Sequence, residues 1–196
     1  MGGSQRLAHL VLQTGRLTAM RDWYLAVLGA RVVHENPMMC VLTFDAEHHR
    51  LGLVAIPGVT ERPATAAGLN HSAYTFATLD DLLDRYVALR DRQIGPHVCV
   101  QHGPTTSFYY RDPDGNMVEL QIDNFATVEE ATAYVDGPEF AQDFVGPALD
   151  PETLLAARRA GAPVAELTTR RWTRTGPPMS DPMSAMAGPE PAARLG

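Results

Sequence analysis

At an offset of 62 residues the chain repeats itself without a gap: Leu7-Ala8-His9 falls on Leu69-Asn70-His71, Tyr24 on Tyr86 and Val27 on Leu89. Such self-similarity means two like modules, so each half constrains the reading of the other. Each half reads as a strand, an amphipathic helix and three more strands. The first strands cover 6–13 and 69–77. Helices follow at Leu17–Leu28 and at about 79–92. In the first, Leu17, Met20, Tyr24, Val27 and Leu28 recur at helical spacing, and Gly29 closes the helix. In the second, Leu79, Leu82, Leu83, Tyr86 and Leu89 do the same. The remaining strands are 31–35, 39–44 and 50–56, then 95–101, 105–111 and 117–122. A DPDG turn signal at 112–115 joins the last two, and 57–67 links the halves.

The modules occupy about 5–57 and 68–125, one domain over 5–125. An extension with short helices at 127–135 and Pro151–Arg159 fills 126–172. The second helix has Asp150 as its cap and Pro151 at its first position. From Thr173 to 196 the sequence lacks aromatics and β-branched runs and is expected to be disordered. All 16 basic residues are Arg, which excludes a Schiff-base lysine and a lysine-bearing phosphate loop. The net charge of −7 argues against a nucleic-acid surface. Cys40 and Cys99, in apolar surroundings, read as buried reduced thiols. MGGSQRLAH has no hydrophobic leader and no apolar run nears the ~18 residues of a membrane span, which predicts a cytoplasmic protein.

Two βαβββ modules joined by a short linker resemble the vicinal-oxygen-chelate superfamily, which includes glyoxalase I, bleomycin-resistance proteins and type I extradiol dioxygenases. The resemblance covers about 5–125. It implies an α+β fold in which the paired modules form a half-open mixed β-barrel around a metal cavity, with the C-terminal extension added.

Three residues stand where a metal would need them. His9 and His71 occupy equivalent places in the two first strands, and Glu119 lies in the final strand, within NMVELQ. Two His and one carboxylate make the facial triad that holds non-haem Fe(II) and leaves coordination positions open. The last strand of module one, near Leu51-Gly52-Leu53-Val54, offers no acid or amide as a fourth ligand. A three-ligand site favours substrate and O₂ on the metal together.

DAEHHRLGL and TSFYYRDPDGNMVEL resemble motifs of type I extradiol dioxygenases. This resemblance points to His49 as an active-site histidine that accepts the catechol proton or supports bound oxygen. It points to Tyr109, ten residues before Glu119, as the residue that orients substrate. His102, with His97 as fallback, would donate a proton during O–O cleavage. The expected function is an extradiol dioxygenase using Fe(II), with Mn(II) the alternative, to open a catechol-type diol with O₂. The expected partners are that small aromatic diol and a second copy of the chain in a homodimer or larger homo-oligomer. No nucleic acid or membrane is expected. The alternatives are another metal-dependent member of the superfamily (a glyoxalase-like isomerase or thiol transferase) and a non-catalytic drug-binding resistance protein.

Overall fold

The computed structural model describes residues 5–60, 63 and 66–187. They form two compact units. Unit 1 holds the first module, through residue 63, together with the turn Asp112–Asn116. Unit 2 holds the second module and the described residues that follow it.

Unit 1 runs β1 (Leu10–Thr14), α1 (Leu17–Leu28), β2 (Arg31–Asn36), β3 (Met39–Thr43) and β4 (Leu51–Ala55). Its sheet has the order β1-β4-β3-β2, with β1 parallel to β4 and the other pairs antiparallel. Helix α1 buries Met20, Tyr24 and Val27, the residues expected from their spacing, and ends on Gly29 at φ 62°. A left-handed terminal residue costs glycine little. The Tyr24 hydroxyl donates to Asp112 at 3.0 Å, and Asn116 donates to the same carboxylate at 2.8 Å. Asp112 is buried, which pushes its carboxyl up against these lowering bonds.

Unit 2 repeats the plan with β5 (His71–Thr75), α2 (Leu79–Arg90), β6 (Val98–Gln101), β7 (Thr105–Arg111) and β8 (Met117–Asp123). The sheet order is β5-β8-β7-β6, again with only the first pair parallel. The Thr78 side chain caps α2, and Asp80 and Asp81 in its first turn complement the helix dipole. The helix stops at Arg90, two residues short of the expected end. Gln93 turns the chain at φ 63°, and Arg92 and Ile94 both donate to the Leu89 carbonyl.

The extension belongs to unit 2 and carries α3 (Val128–Val135), α4 (Pro138–Gln142), α5 (Pro151–Arg159), α6 (Val164–Leu167) and α7 (Arg170–Thr173). Between α4 and α5 the chain runs beside β6. Gln101 N–H donates to Pro147 at 3.0 Å, Leu149 N–H donates to Cys99 at 2.8 Å, and Val100 bridges Ala148. An open sheet edge is thereby covered. Helix α5 buries Leu154 and Leu155 and is tied to α2 by polar bonds. Arg158 pairs with Asp80 at 2.7 and 2.8 Å, and Tyr86 donates to Glu152 at 2.6 Å.

The tail corrects one expectation. Beyond Thr173 the chain forms α8 (Pro182–Ala187), which packs on β6. Its start has a local cause that the composition concealed: Asp181 accepts from Met183 N–H at 3.1 Å, and Pro182 takes the first helical position. Residues 188–196 of the expected disordered tail lie outside the described residues. Cys40 and Cys99 are buried and free. Among the described residues no helix is long and apolar enough to cross a membrane.

Gly146 tests the seam between extension and sheet. It sits at φ +88°, and a Cβ there would lie 2.1 Å from the Gln101 carbonyl oxygen, which is backbone and cannot step aside. Gly146→Ala is therefore expected to destabilise by about 3 kcal/mol, a fall in Tm of roughly 6–12 °C at this chain length. Thermal unfolding followed by circular dichroism checks it; an unchanged Tm would mean that the seam does not pack this way.

Candidate active site

Four of the six residues singled out in the sequence meet in unit 2. His71 opens β5, and Glu119 stands on the neighbouring strand β8. His71 Nε2 lies 3.1 Å from Glu119 Oε2. Glu119 is only 4% exposed, because β8 is an inner strand of the sheet covered on both faces. Burial alone would raise its carboxyl. Hydrogen bonds from His71 and Ser107 prevail and hold it below the usual carboxylate range. The same contact raises His71 above the usual imidazole value, against burial.

Tyr109 faces Glu119 across the β7–β8 ladder. Its ring is nearly perpendicular to those of His71 and His102, with centroids 5.5 and 5.9 Å away. Its hydroxyl is 2.8 Å from His102 Nε2. Burial, and then the charge of Glu119, push the phenol well above its ordinary pKa, so it stays protonated at neutral pH. His102 follows β6, and its Nδ1 lies 2.6 Å from the Val145 carbonyl. Burial pulls this imidazole below its usual value. His102, and not the fallback His97, is the ring that meets Tyr109; His97 gives its backbone N–H to the Tyr109 carbonyl at 2.6 Å.

His9 and His49 stand in unit 1. The sequence placed His9 inside the first strand; it lies instead just before Leu10, exposed, where the ladder with β4 has not yet begun. Arg50 ties this segment to the 45–50 loop by donating to the carbonyls of Leu7 at 2.9 Å and Ala8 at 3.2 Å and by pairing with Asp45 at 2.8 Å. The His9 and His49 rings meet at a tilt with centroids 4.3 Å apart, and the His48 ring lies 4.3 Å from that of His49. Desolvation and then the charges of His48 and His9 lower the His49 pKa.

The register shows why one module carries more of the chemistry. Ala73 pairs with Glu119 in unit 2, and its repeat counterpart Val11 pairs with Gly52 in unit 1. The place equivalent to the carboxylate therefore holds no side chain. Val41, opposite Gly52, likewise stands where the second module has Tyr109. A cavity of about 510 Å³ beside the start of α1 is lined by Arg16, Thr18, Glu35 and Asn36, among others, and by none of the six residues.

Among the described residues no group of three or more His, Cys, Asp or Glu side chains is arranged to hold a metal ion. His71 and Glu119 supply a pair. Their separation of 3.1 Å matches two adjacent ligands on an octahedral ion, which at bonds of ~2.1 Å lie about 3.0 Å apart. One imidazole and one carboxylate are donors suited to Fe(II) and Mn(II). This half of the donor set fits a divalent metal.

Known proteins place the chain. The model of the Glyoxalase/Bleomycin resistance protein/Dioxygenase superfamily matches residues 6–120. The chain belongs to this superfamily. It is 60% identical over 169 residues to biphenyl-2,3-diol 1,2-dioxygenase 3 of Rhodococcus globerulus, which covers 85% of this chain and 89% of the relative. It is 53% identical over 188 residues to biphenyl-2,3-diol 1,2-dioxygenase 2 of the same organism, covering 95% and 99%. Among solved structures, a glyoxylase/bleomycin resistance protein/dioxygenase domain from Frankia sp. EAN1pec shares the fold at TM-score 0.53 and 14% identity, over 64% of this chain and 96% of that one.

Proposed function

We propose that this chain is a cytoplasmic extradiol dioxygenase that opens a catechol-type aromatic diol with O₂ at an Fe(II) centre held by His9, His71 and Glu119. The linked array of His71, Glu119, Tyr109 and His102 carries the proposal, in a chain 60% identical to a biphenyl-2,3-diol 1,2-dioxygenase. That relative supports a biphenyl-2,3-diol-like catechol as the substrate class. When bound, the metal would acidify a diol hydroxyl and pass electrons from the diol to O₂.

The protein's own groups do the rest. Glu119 and His71 offer their donor atoms from adjacent strands, so the sheet itself fixes their spacing. Tyr109, protonated at neutral pH, has one hydroxyl hydrogen, which rests on His102 Nε2 and turns to a diol oxygen to orient the diol when it binds. His49, neutral because its pKa is lowered, is able to accept the diol proton. His102 takes up and passes on a proton at Nε2, the ring atom facing Tyr109. The edge strand β2, exposed along its whole length, offers a surface for a homodimer or larger homo-oligomer.

Metal analysis after anaerobic purification, with O₂ uptake on biphenyl-2,3-diol and catechol, tests this. The expected result is about one Fe(II) per chain and O₂ uptake that depends on the diol. Activity should fall in air and return with ferrous iron and a reductant, because vacant positions that admit O₂ also expose Fe(II) to oxidation. Bound Mn(II), Ni(II) or Zn(II) with no diol-dependent uptake would favour an isomerase or thiol transferase. Diol binding without any metal would favour a drug-binding protein.

A further inference from the structure

Val145 and Arg170 belong to the extension, which the triad and its neighbours do not include. A carbonyl oxygen only accepts, so the 2.6 Å contact with Val145 places a hydrogen on His102 Nδ1. In the neutral ring Nε2 then keeps a lone pair, and the Tyr109 hydroxyl, 2.8 Å away, donates to it. What keeps ring and carbonyl together is Arg170. Its side chain is 2% exposed. Nη1 donates to the Asp143 carbonyl at 2.7 Å, and Nη2 donates to the His102 carbonyl. One guanidinium thus ties the backbone that bears the ring to the backbone two residues before the carbonyl that receives it. The guanidinium also lies over the Tyr134 ring at 5.7 Å. Gly146 leaves it room, since a Cβ there would come within 3.1 Å of Nε. Burying a guanidinium is costly unless it is well bonded. The two carbonyl bonds, with the Asp143 carboxylate 4.0 Å from Nη1, hold it there although the buried Nε has no hydrogen-bond partner, and its planar fork suits two acceptors at once.

We propose that Arg170 is a positioning residue for His102: it clamps the Val145 carbonyl against Nδ1, locks the ring in the Nδ1–H tautomer and aims a bare Nε2 at Tyr109. The inference rests on His102 as the proton-carrying residue of the proposed dioxygenase. It makes the extension part of the working site, joined to it through main-chain carbonyls.

The test reads the ring nitrogens of the full-length chain, labelled with ¹⁵N-histidine and prepared without metal, by NMR. His102 signals are assigned by their loss in His102→Phe. The wild type is expected to show a protonated Nδ1 and a bare Nε2 at neutral pH. An Nε2–H tautomer or a doubly protonated ring would overturn the proposal with no variant needed. Arg170→Met is expected to mix the tautomers. In the iron-loaded enzyme it should lower kcat about 10- to 100-fold while KM stays within about threefold and iron content is unchanged. Arg170→Lys, which keeps the charge and one donor, should restore part of both. Arg170→Met with a single tautomer and wild-type kcat would refute the clamp. If the wild type consumes no O₂ with any diol, the dioxygenase reading fails, and the nitrogen signals still decide whether Arg170 holds the ring.

Discussion

Glu119→Ala is expected to leave a folded protein that holds no iron and opens no ring. The fold should survive because, of the partners left behind, His71 has a side chain 36% exposed that can turn to water and Ser107 still donates to Thr105 at 2.9 Å. The site should not survive, since Glu119 is the one carboxylate of the proposed three donors and brings the only negative charge. The loss in iron affinity and activity should exceed the roughly 10- to 100-fold typical of groups that merely orient a ligand. His71→Ala should behave alike. His9→Ala is the sharper test, because His9 stands in the other unit and outside the strand expected to present it. Iron content and O₂ uptake measured on the same samples settle each case. A His9→Ala enzyme with full iron and full activity would remove His9 from the proposed triad.

His102→Phe should keep iron and still bind diol while kcat falls about 10²- to 10⁴-fold, the usual worth of a positioned proton carrier. The ring of phenylalanine fills the space beside Tyr109 and leaves the Val145 carbonyl without its donor. Tyr109→Phe should cost less if the phenol only orients substrate, because the aromatic ring still packs against His71 and His102. Metal content, diol affinity and steady-state O₂ uptake separate these effects. Wild-type turnover in both variants would sink the roles given to His102 and Tyr109.

Much of this architecture was legible before any coordinates. The 62-residue repeat, α1 at Leu17–Leu28, α5 at Pro151–Arg159 and β7 at Thr105–Arg111 appear where periodicity and caps placed them. Such signals are local: an apolar stripe, an N-cap or a DPDG turn acts within a few residues. Chemically distinctive residues in order along the chain also marked His9, His49, His71, His102, Tyr109 and Glu119 as a set, of which the last four meet in unit 2. Helices of four or five residues leave no comparable trace, so α4, α6 and α7 are not legible in the sequence, and an Asp-Pro start is lost in a Pro- and Gly-rich tail.

What sequence could not decide was direction and burial. Glu119 between Val118 and Leu120 reads equally as a solvent-facing residue; only its place on an inner strand covered on both sides makes it a buried carboxylate. Arg170 and Arg171 are adjacent in TTRRWT and chemically identical, yet Arg170 is 3% exposed and Arg171 faces solvent. The acceptors that distinguish them are the carbonyls of His102 and Asp143, and the His102 ring is oriented by another, that of Val145. Every residue carries a carbonyl, so no letter in a sequence marks the one that will be used. Only folding, by bringing residues 102, 143–146 and 170 together, selects it.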